Sequence, residues 1–210
     1  IVIQPPVPRA ESVRARLADL AWEEGISAFV TNGVPFSFSS GRVLASGLAD
    51  LVNALAMDRD QIRVMELGAG IGYLSSFSLD ALKERFPEAY EKASFVVTDG
   101  AESVVRDAES QGVLSRHPDR AHFAVADLRD RSTILDEEPC LLVMSYLVDA
   151  IPPRHLERRE DGVFTARIQT SIPGSRTLVD GQYWPPRALT ASEISQLLQN
   201  PTDKLTPALA

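Results

Sequence analysis

The sequence has few of the features that would assign it to several common classes. Its single cysteine, Cys140, cannot close an internal disulfide and lies in an apolar run, which fits a buried thiol and a reducing, cytoplasmic setting. No apolar run is long enough to cross a bilayer and no signal-peptide pattern is found, so no membrane partner is expected. Basic residues are in the minority, 21 Lys and Arg against 29 Asp and Glu, for a net charge of −8. Only residues 154–159 are locally basic, which argues against nucleic acid as a partner. No His/Cys group has metal-ligand spacing, so no metal is expected. No Ser/His/Asp order surrounds a nucleophile elbow, which argues against a hydrolase. His117 and His155 lie in charged stretches and are expected at the surface. Internal repeats and low-complexity tracts are also missing.

What is present is a globular balance, 44% hydrophobic and 24% charged over 210 residues, enough for a full core. Residues 1–8 are Pro-rich and read as extended. Residues 10–24 have helical spacing, with Val13, Leu17, Leu20, Ala21 and Glu24 on one face, and Gly25 as the stop. A loop rich in Gly, Ser and aromatics follows. A second helix then places Val43, Leu44, Gly47, Leu48, Leu51, Val52 and Leu55 on its apolar side.

From residue 62 the pattern alternates. Short β-type runs at 62–67, 94–98, 121–126 and 140–146 are separated by helical stretches at 73–86 and 101–111. Strands alternating with helices imply parallel pairing through crossovers. The fold expected is α/β, a doubly wound, mainly parallel, Rossmann-like sheet with an α-helical N-terminal extension. The divisions are 1–58 for that extension, 59–180 for the sheet domain and 181–210 for a tail. In the tail, Thr190-Ala191-Ser192-Glu193 matches a capping box for a short helix. Before it, residues 162–171 alternate like one exposed strand.

The chemistry concentrates in Glu66-Leu67-Gly68-Ala69-Gly70-Ile71-Gly72, which joins a strand to a helix. Glycines permit a sharp turn and close approach of a ligand, and the helix start offers free N–H groups. A dinucleotide fingerprint needs Gly-x-Gly-x-x-Gly, and here Gly72 comes one residue early. Asp99 and Asp127 end the next two strands, which puts three acids at the carboxyl edge of one sheet. A carboxylate at Asp99 can accept both hydroxyls of a ribose. Each strand-end acid could alternatively be a helix cap.

Acid-x-Gly-x-Gly-x-Gly resembles motif I of the class I S-adenosylmethionine (SAM) dependent methyltransferases. The resemblance implies SAM as cofactor, with Glu66, Gly68, Ala69, Gly70 and Gly72 around its methionine part. It implies Asp127 on the adenine amino group and the Leu128 N–H on a ring nitrogen. Residues 145–152, Ser-Tyr-Leu-Val-Asp-Ala-Ile-Pro, look like the segment after the fourth strand in MidA-like methyltransferases, a family that includes a protein-arginine methyltransferase. Members typically carry Asn-Glu where this chain has Ser145-Tyr146, which puts arginine as the acceptor in doubt.

By position, Asp149 and Tyr146 are the candidate catalytic residues facing the methyl group, and Ser145 joins the cofactor set. Asp149 could instead cap the turn before Pro152, and Tyr146 could be a core aromatic. Arg42, after Phe36 and Phe38, could pair with the cofactor carboxylate beneath an apolar lid, or the loop could staple the N-terminal helices to the sheet. The function expected is methyl transfer from SAM to a protein side chain or small molecule. The alternative is a non-catalytic SAM-binding module or part of a larger enzyme. The chain lacks an initiator methionine, and four strands are legible where a complete class I sheet has seven, so a truncated chain is among the expectations. The acceptor and the oligomeric state are not named by the sequence.

Overall fold

A computed structural model describes residues 2–27, 41–128, 139–148, 151, 154–171, 177–179 and 182–184, together with residues 192, 195, 196 and 199. The chain divides into two units, 1–20 with 152–210, and 21–151.

In the first unit the Pro-rich N-terminal residues are extended, as read from the sequence, and form a strand, β1 (Val2–Pro8), at the start of the segment expected to be a helical extension. It pairs antiparallel with β8 (Arg167–Ser171), and the register shifts between Gln4 and Val7. Pro5 and Pro6 lie in that interval and have no N–H to give a ladder. The Gln4 side chain ties down the next turn, donating to the Glu11 carbonyl and accepting the Val13 N–H, both at 2.9 Å. Helix α1 (Val13–Trp22) follows, with Ser12 Oγ accepting the Ala15 N–H at 3.2 Å as an N-terminal cap. Of the face read from spacing, Val13 is buried and Leu17 and Ala21 are half-buried, whereas Leu20 and Glu24 are exposed; Ala15, outside that face, is buried as well.

The single strand expected over 162–171 is two. β6 (Leu156–Arg159) and β7 (Gly162–Thr165) form a hairpin, and the chain breaks at Ala166, whose N–H donates to His155 O, before β8. β9 (Thr177–Val179) and β10 (Gln182–Trp184) form another antiparallel pair.

The second unit holds the parallel sheet. Its strands are β2 (Ile62–Leu67), β3 (Ala93–Asp99), β4 (Ala121–Val125) and β5 (Leu141–Met144), in the order β4-β3-β2-β5. All neighbours are parallel. The chain thus moves outward from β2 to β4, then returns to lay β5 on the other side of β2. β2 and β3 are almost wholly buried, as expected for central parallel strands, while Leu142 and Met144 of β5 are exposed.

Helix α2 (Arg42–Ala56) is rotated relative to its expected face. It buries Ala45, Leu48, Ala49, Val52 and Ala56, and leaves Val43 (90% exposed), Leu44 and Leu51 outside. The alanines explain the choice: spaced with Leu48 and Val52 along one stripe, they allow close approach to α3 (Tyr73–Arg85). Arg85 of α3 reaches back to Ser46 and Asp50 of α2. α3 buries Leu74, Leu79 and Leu82 beside three serines, each with a bonded hydroxyl. A short helix, α4 (Pro87–Lys92), which the periodicity does not reveal, leads into β3. α5 (Glu102–Ser110) connects β3 towards β4. Among the described residues, no helix is long and apolar enough to cross a membrane.

Candidate functional site

The turn between β2 and α3 is built from left-handed glycines. Gly68, Gly70 and Gly72 have φ of 64°, 56° and 81°, a region side-chain-bearing residues rarely enter. Backbone bonds hold it: the Ala69 N–H donates to Thr98 O at 2.8 Å and the Gly72 N–H to Ala69 O at 3.0 Å. The space a Cβ would need is already filled by protein. At Gly68 it would lie 2.6 Å from Leu147 Cδ1, and at Gly72 2.8 Å from Phe123 Cζ.

Glu66 turns inward rather than to the outer surface of the turn. It is buried, and its Oε2 accepts the Ser75 hydroxyl at 2.5 Å. Burial pushes its carboxyl up from 4.5 to about 7. The side-chain and backbone hydrogen bonds of Ser75 oppose that rise, and the charge of Asp99 adds to it. The acid therefore fastens the strand end to the first turn of α3, where N–H groups are free and a negative charge is favoured.

Asp99, at the end of β3, holds the turn from the side. Its Oδ2 accepts the Gly70 N–H at 2.9 Å and its Oδ1 the Ala101 N–H at 3.0 Å. Burial raises its carboxyl above the usual range, and the N–H donors of Ala101, Gly70 and Gly100 counter that. It does not cap α5, whose N-cap is Ala101 with no side-chain bond. Asp127 follows β4 closely: a Cβ on Gly100 would be 3.7 Å from Asp127 Cα, and the Ala126 N–H donates to Asp99 O. Asp127 and Leu128 are half-buried. The ends of β3 and β4 thus stand together beside the glycine turn, as the spacing of the acids predicts.

After β5, Ser145 is half-buried and Tyr146 has φ 55° with 55% of its surface exposed. Tyr146 is therefore not a core aromatic. A bulky residue in this region is strained, and such positions cluster at functional sites. Asp149, Phe36, Phe38, Pro152 and Thr190 lie outside the described residues. The Arg42 guanidinium sits 4.7 Å above the Phe77 ring, and Phe77 stacks on Tyr73 at 5.6 Å, so this cation lies over the start of α3. Beside it is a cleft of about 620 Å³ lined by Ile26, Ile71, Tyr73, Phe77, Gln111 and Arg116 among others. Asp99, Asp127 and Tyr146 do not line that cleft, whereas Ile71 of the glycine turn does.

His117 is not at the surface. It is 1% exposed, with Nε2 3.2 Å from Asp80 Oδ1 and Nδ1 3.0 Å from the Tyr90 hydroxyl. Burial holds its pKa below 6.5 against the pull of Asp80. The neighbouring charges in sequence conceal this, because Asp80 and Tyr90 come from α3 and α4. His155 is exposed, and its Nε2 lies 3.0 Å from Arg9 Nη1. Cys140 is half-buried, with Sγ 3.7 Å from Arg59 Nη1. Sequence reasoning missed Ser75, Phe123 and Leu147. Only Ser75 carries a signal, a hydroxyl in the first turn of the helix that follows the acidic strand end.

The model of a family described as "Putative S-adenosyl-L-methionine-dependent methyltransferase" matches residues 43–205. No curated protein matches the chain. One similar solved structure is a Burkholderia thailandensis protein crystallised with S-adenosyl-homocysteine, 23% identical with a TM-score of 0.42, covering 75% of this chain and 37% of that one. Another is an uncharacterized protein of the same superfamily and organism, 20% identical with a TM-score of 0.43, covering 93% of this chain and 54% of that one. The chain thus spans little more than a third to about half the length of these structures.

Proposed function

This chain belongs to that methyltransferase family, and we propose that it binds SAM at the carboxyl edge of the parallel sheet and donates the methyl group to an acceptor. The observation that carries the reading is the glycine turn after β2, with its Gly70 N–H bonded to the acid that ends β3. Ligands of open α/β sheets bind at this edge, where the strand order reverses, and β2 lies between β3 and β5 at such a point. We read the order as part of a doubly wound sheet, with the cofactor domain lying mainly in unit 21–151.

The donor set suits the cofactor. Gly68, Ala69, Gly70 and Gly72 would hold the methionine part, on the turn that Glu66 fastens from inside through Ser75. Asp99 keeps acceptor capacity for ribose hydroxyls beyond its backbone bonds. Asp127 and the Leu128 N–H would take the adenine, Ser145 would border the cofactor, and Arg42 would pair with its carboxylate. When bound, SAM supplies an electrophilic methyl carbon on a sulfonium, open to in-line displacement. The protein's share is mainly positioning. Tyr146 faces the acceptor, and Asp149 orients its amine or hydroxyl. The acceptor is a protein side chain or a small molecule.

The test is thermal unfolding of the full chain with SAM, S-adenosyl-homocysteine or NAD. A ligand at about 100 times its Kd adds about 2.7 kcal/mol to the folded state, a shift of several degrees. The expected result is a shift with the sulfur ligands only, lost in Gly70→Val. A shift with NAD alone, or none with the sulfur ligands, overturns the reading. Binding without methyl release to any acceptor identifies a non-catalytic module.

A further inference from the structure

We infer that Leu147 is a positioning residue: seated in the notch left by Gly68, it locks the segment after β5 onto the glycine turn after β2. The inference rests on the proposed cofactor site for its consequence, and on packing for its mechanism.

The notch is specific. A Cβ on Gly68 would meet Leu147 Cδ1 at 2.6 Å and its Cβ and Cγ at 3.2 Å. Real side chains do not approach so closely, so the glycine's missing atom is what admits the leucine. The other end of the turn is gripped in the same way. A Cβ on Gly72 would meet Phe123 Cζ at 2.8 Å, Phe123 Cε1 at 2.9 Å and Val97 Cγ1 at 3.3 Å. Leu147 follows β5 on one side of β2, and Val97 and Phe123 belong to β3 and β4 on the other. The turn is therefore held between side-chain contacts from opposite sides of β2.

Leu147 also accounts for its neighbour. Tyr146 holds a left-handed φ of 55°, yet more than half of its surface is exposed, so its own ring provides little of the packing that keeps it there. A strained residue persists only when its surroundings over-determine it. The adjacent anchor in the Gly68 notch does this, helped by the turn in which the Ile151 N–H bonds to Val148 O. Cofactor turn and acceptor-side tyrosine thus move as one body, and methyl transfer demands this kind of fixed geometry.

The experiment compares wild type, Leu147→Ala and the volume-conserving Leu147→Met as full chains. Hydrogen exchange is read at Ala69, Gly70 and Gly72, whose amides are bonded, and S-adenosyl-homocysteine binding is read by calorimetry. Leu147→Ala should speed exchange of those three amides by about tenfold, while β3 amides are unchanged. It should weaken S-adenosyl-homocysteine binding by about fivefold or more, and Leu147→Met should match wild type in both readouts. Faster exchange confined to residues 145–148, or unchanged affinity in Leu147→Ala, overturns the inference. If wild type binds no S-adenosyl-homocysteine, the cofactor reading falls and the exchange comparison still decides whether Leu147 grips the turn. Should Leu147→Ala not fold, Leu147→Val takes its place in the same comparison.

Discussion

Ser75 donates its hydroxyl proton to Glu66 at 2.5 Å inside the protein, joining the end of β2 to the first turn of α3. The glycine turn is the loop closed by this bond. Replacing Ser75 by Ala leaves a buried carboxyl with one partner fewer. The expected cost is about 1–3 kcal/mol by denaturant unfolding at pH 8, where the carboxyl is ionised. The loss should shrink at pH 5, where it is protonated.

Glu66 itself makes stability depend on pH. Its folded pKa of about 7 lies above the unfolded 4.5, so the native state holds a proton that the unfolded state releases between these values. The contribution is fully present below about 4.5 and is lost as pH rises through about 7. Glu66→Gln removes the titration. The unfolding free energy of wild type minus that of Glu66→Gln should therefore fall steadily from pH 4.5 to 7.5, and a flat difference would mean that the acid is not buried as described.

His117 runs in the opposite direction. Its folded pKa lies below the unfolded 6.5, chiefly through burial. With Asp80 accepting from Nε2–H, Nδ1 accepts the Tyr90 hydroxyl proton, and protonation at Nδ1 breaks that bond. Asp80, Arg116 and Lys83 are the charges that bear on the ring. Stability from this site is full above pH 6.5 and declines as pH falls towards the folded pKa. His117→Gln, which does not titrate, should lose the acid-side decline in unfolding measurements below pH 6.5.

Asp99→Asn should loosen the turn without dismantling the sheet. Both carboxylate oxygens accept backbone N–H groups, and an amide offers one acceptor and turns a donor towards the other N–H. A stability loss of about 1–3 kcal/mol is expected. S-adenosyl-homocysteine affinity should drop about tenfold or more, read by calorimetry.

The rotated face of α2 gives a contrast. Val52 is fully buried and Val43 is 90% exposed. Val52→Ala should cost about 1–3 kcal/mol through lost burial and a cavity. Val43→Ser should stay within about 0.5 kcal/mol in the same denaturant experiment.

Much of the candidate site could be read in one dimension because its signals are local. Gly68, Gly70 and Gly72 must lie close together in sequence to turn a strand into a helix, and Asp99 ends, and Asp127 closely follows, strands whose apolar runs are visible. The helix faces were harder. α1 and α2 carry apolar residues on more than one side, and the choice among them depends on the partner surface. In α2 the alanines win over the larger Val43, Leu44 and Leu51 because they let α3 come close. His117 looked like a surface residue for the same reason, since its partners Asp80 and Tyr90 are distant in sequence.

By itself, the sequence determined the order of the four parallel strands and of helices α1, α2, α3 and α5, the glycine turn and the acids at or just after the strand ends, because backbone conformation and hydrophobic period are properties of neighbouring residues. Only the tertiary structure decided that Glu66 faces inward to Ser75, that Leu147 and Phe123 fill the space beside Gly68 and Gly72, and that Tyr146 stands strained at the sheet edge. Each of these depends on close packing between segments far apart in the chain, where fractions of an ångström decide which side chain fits.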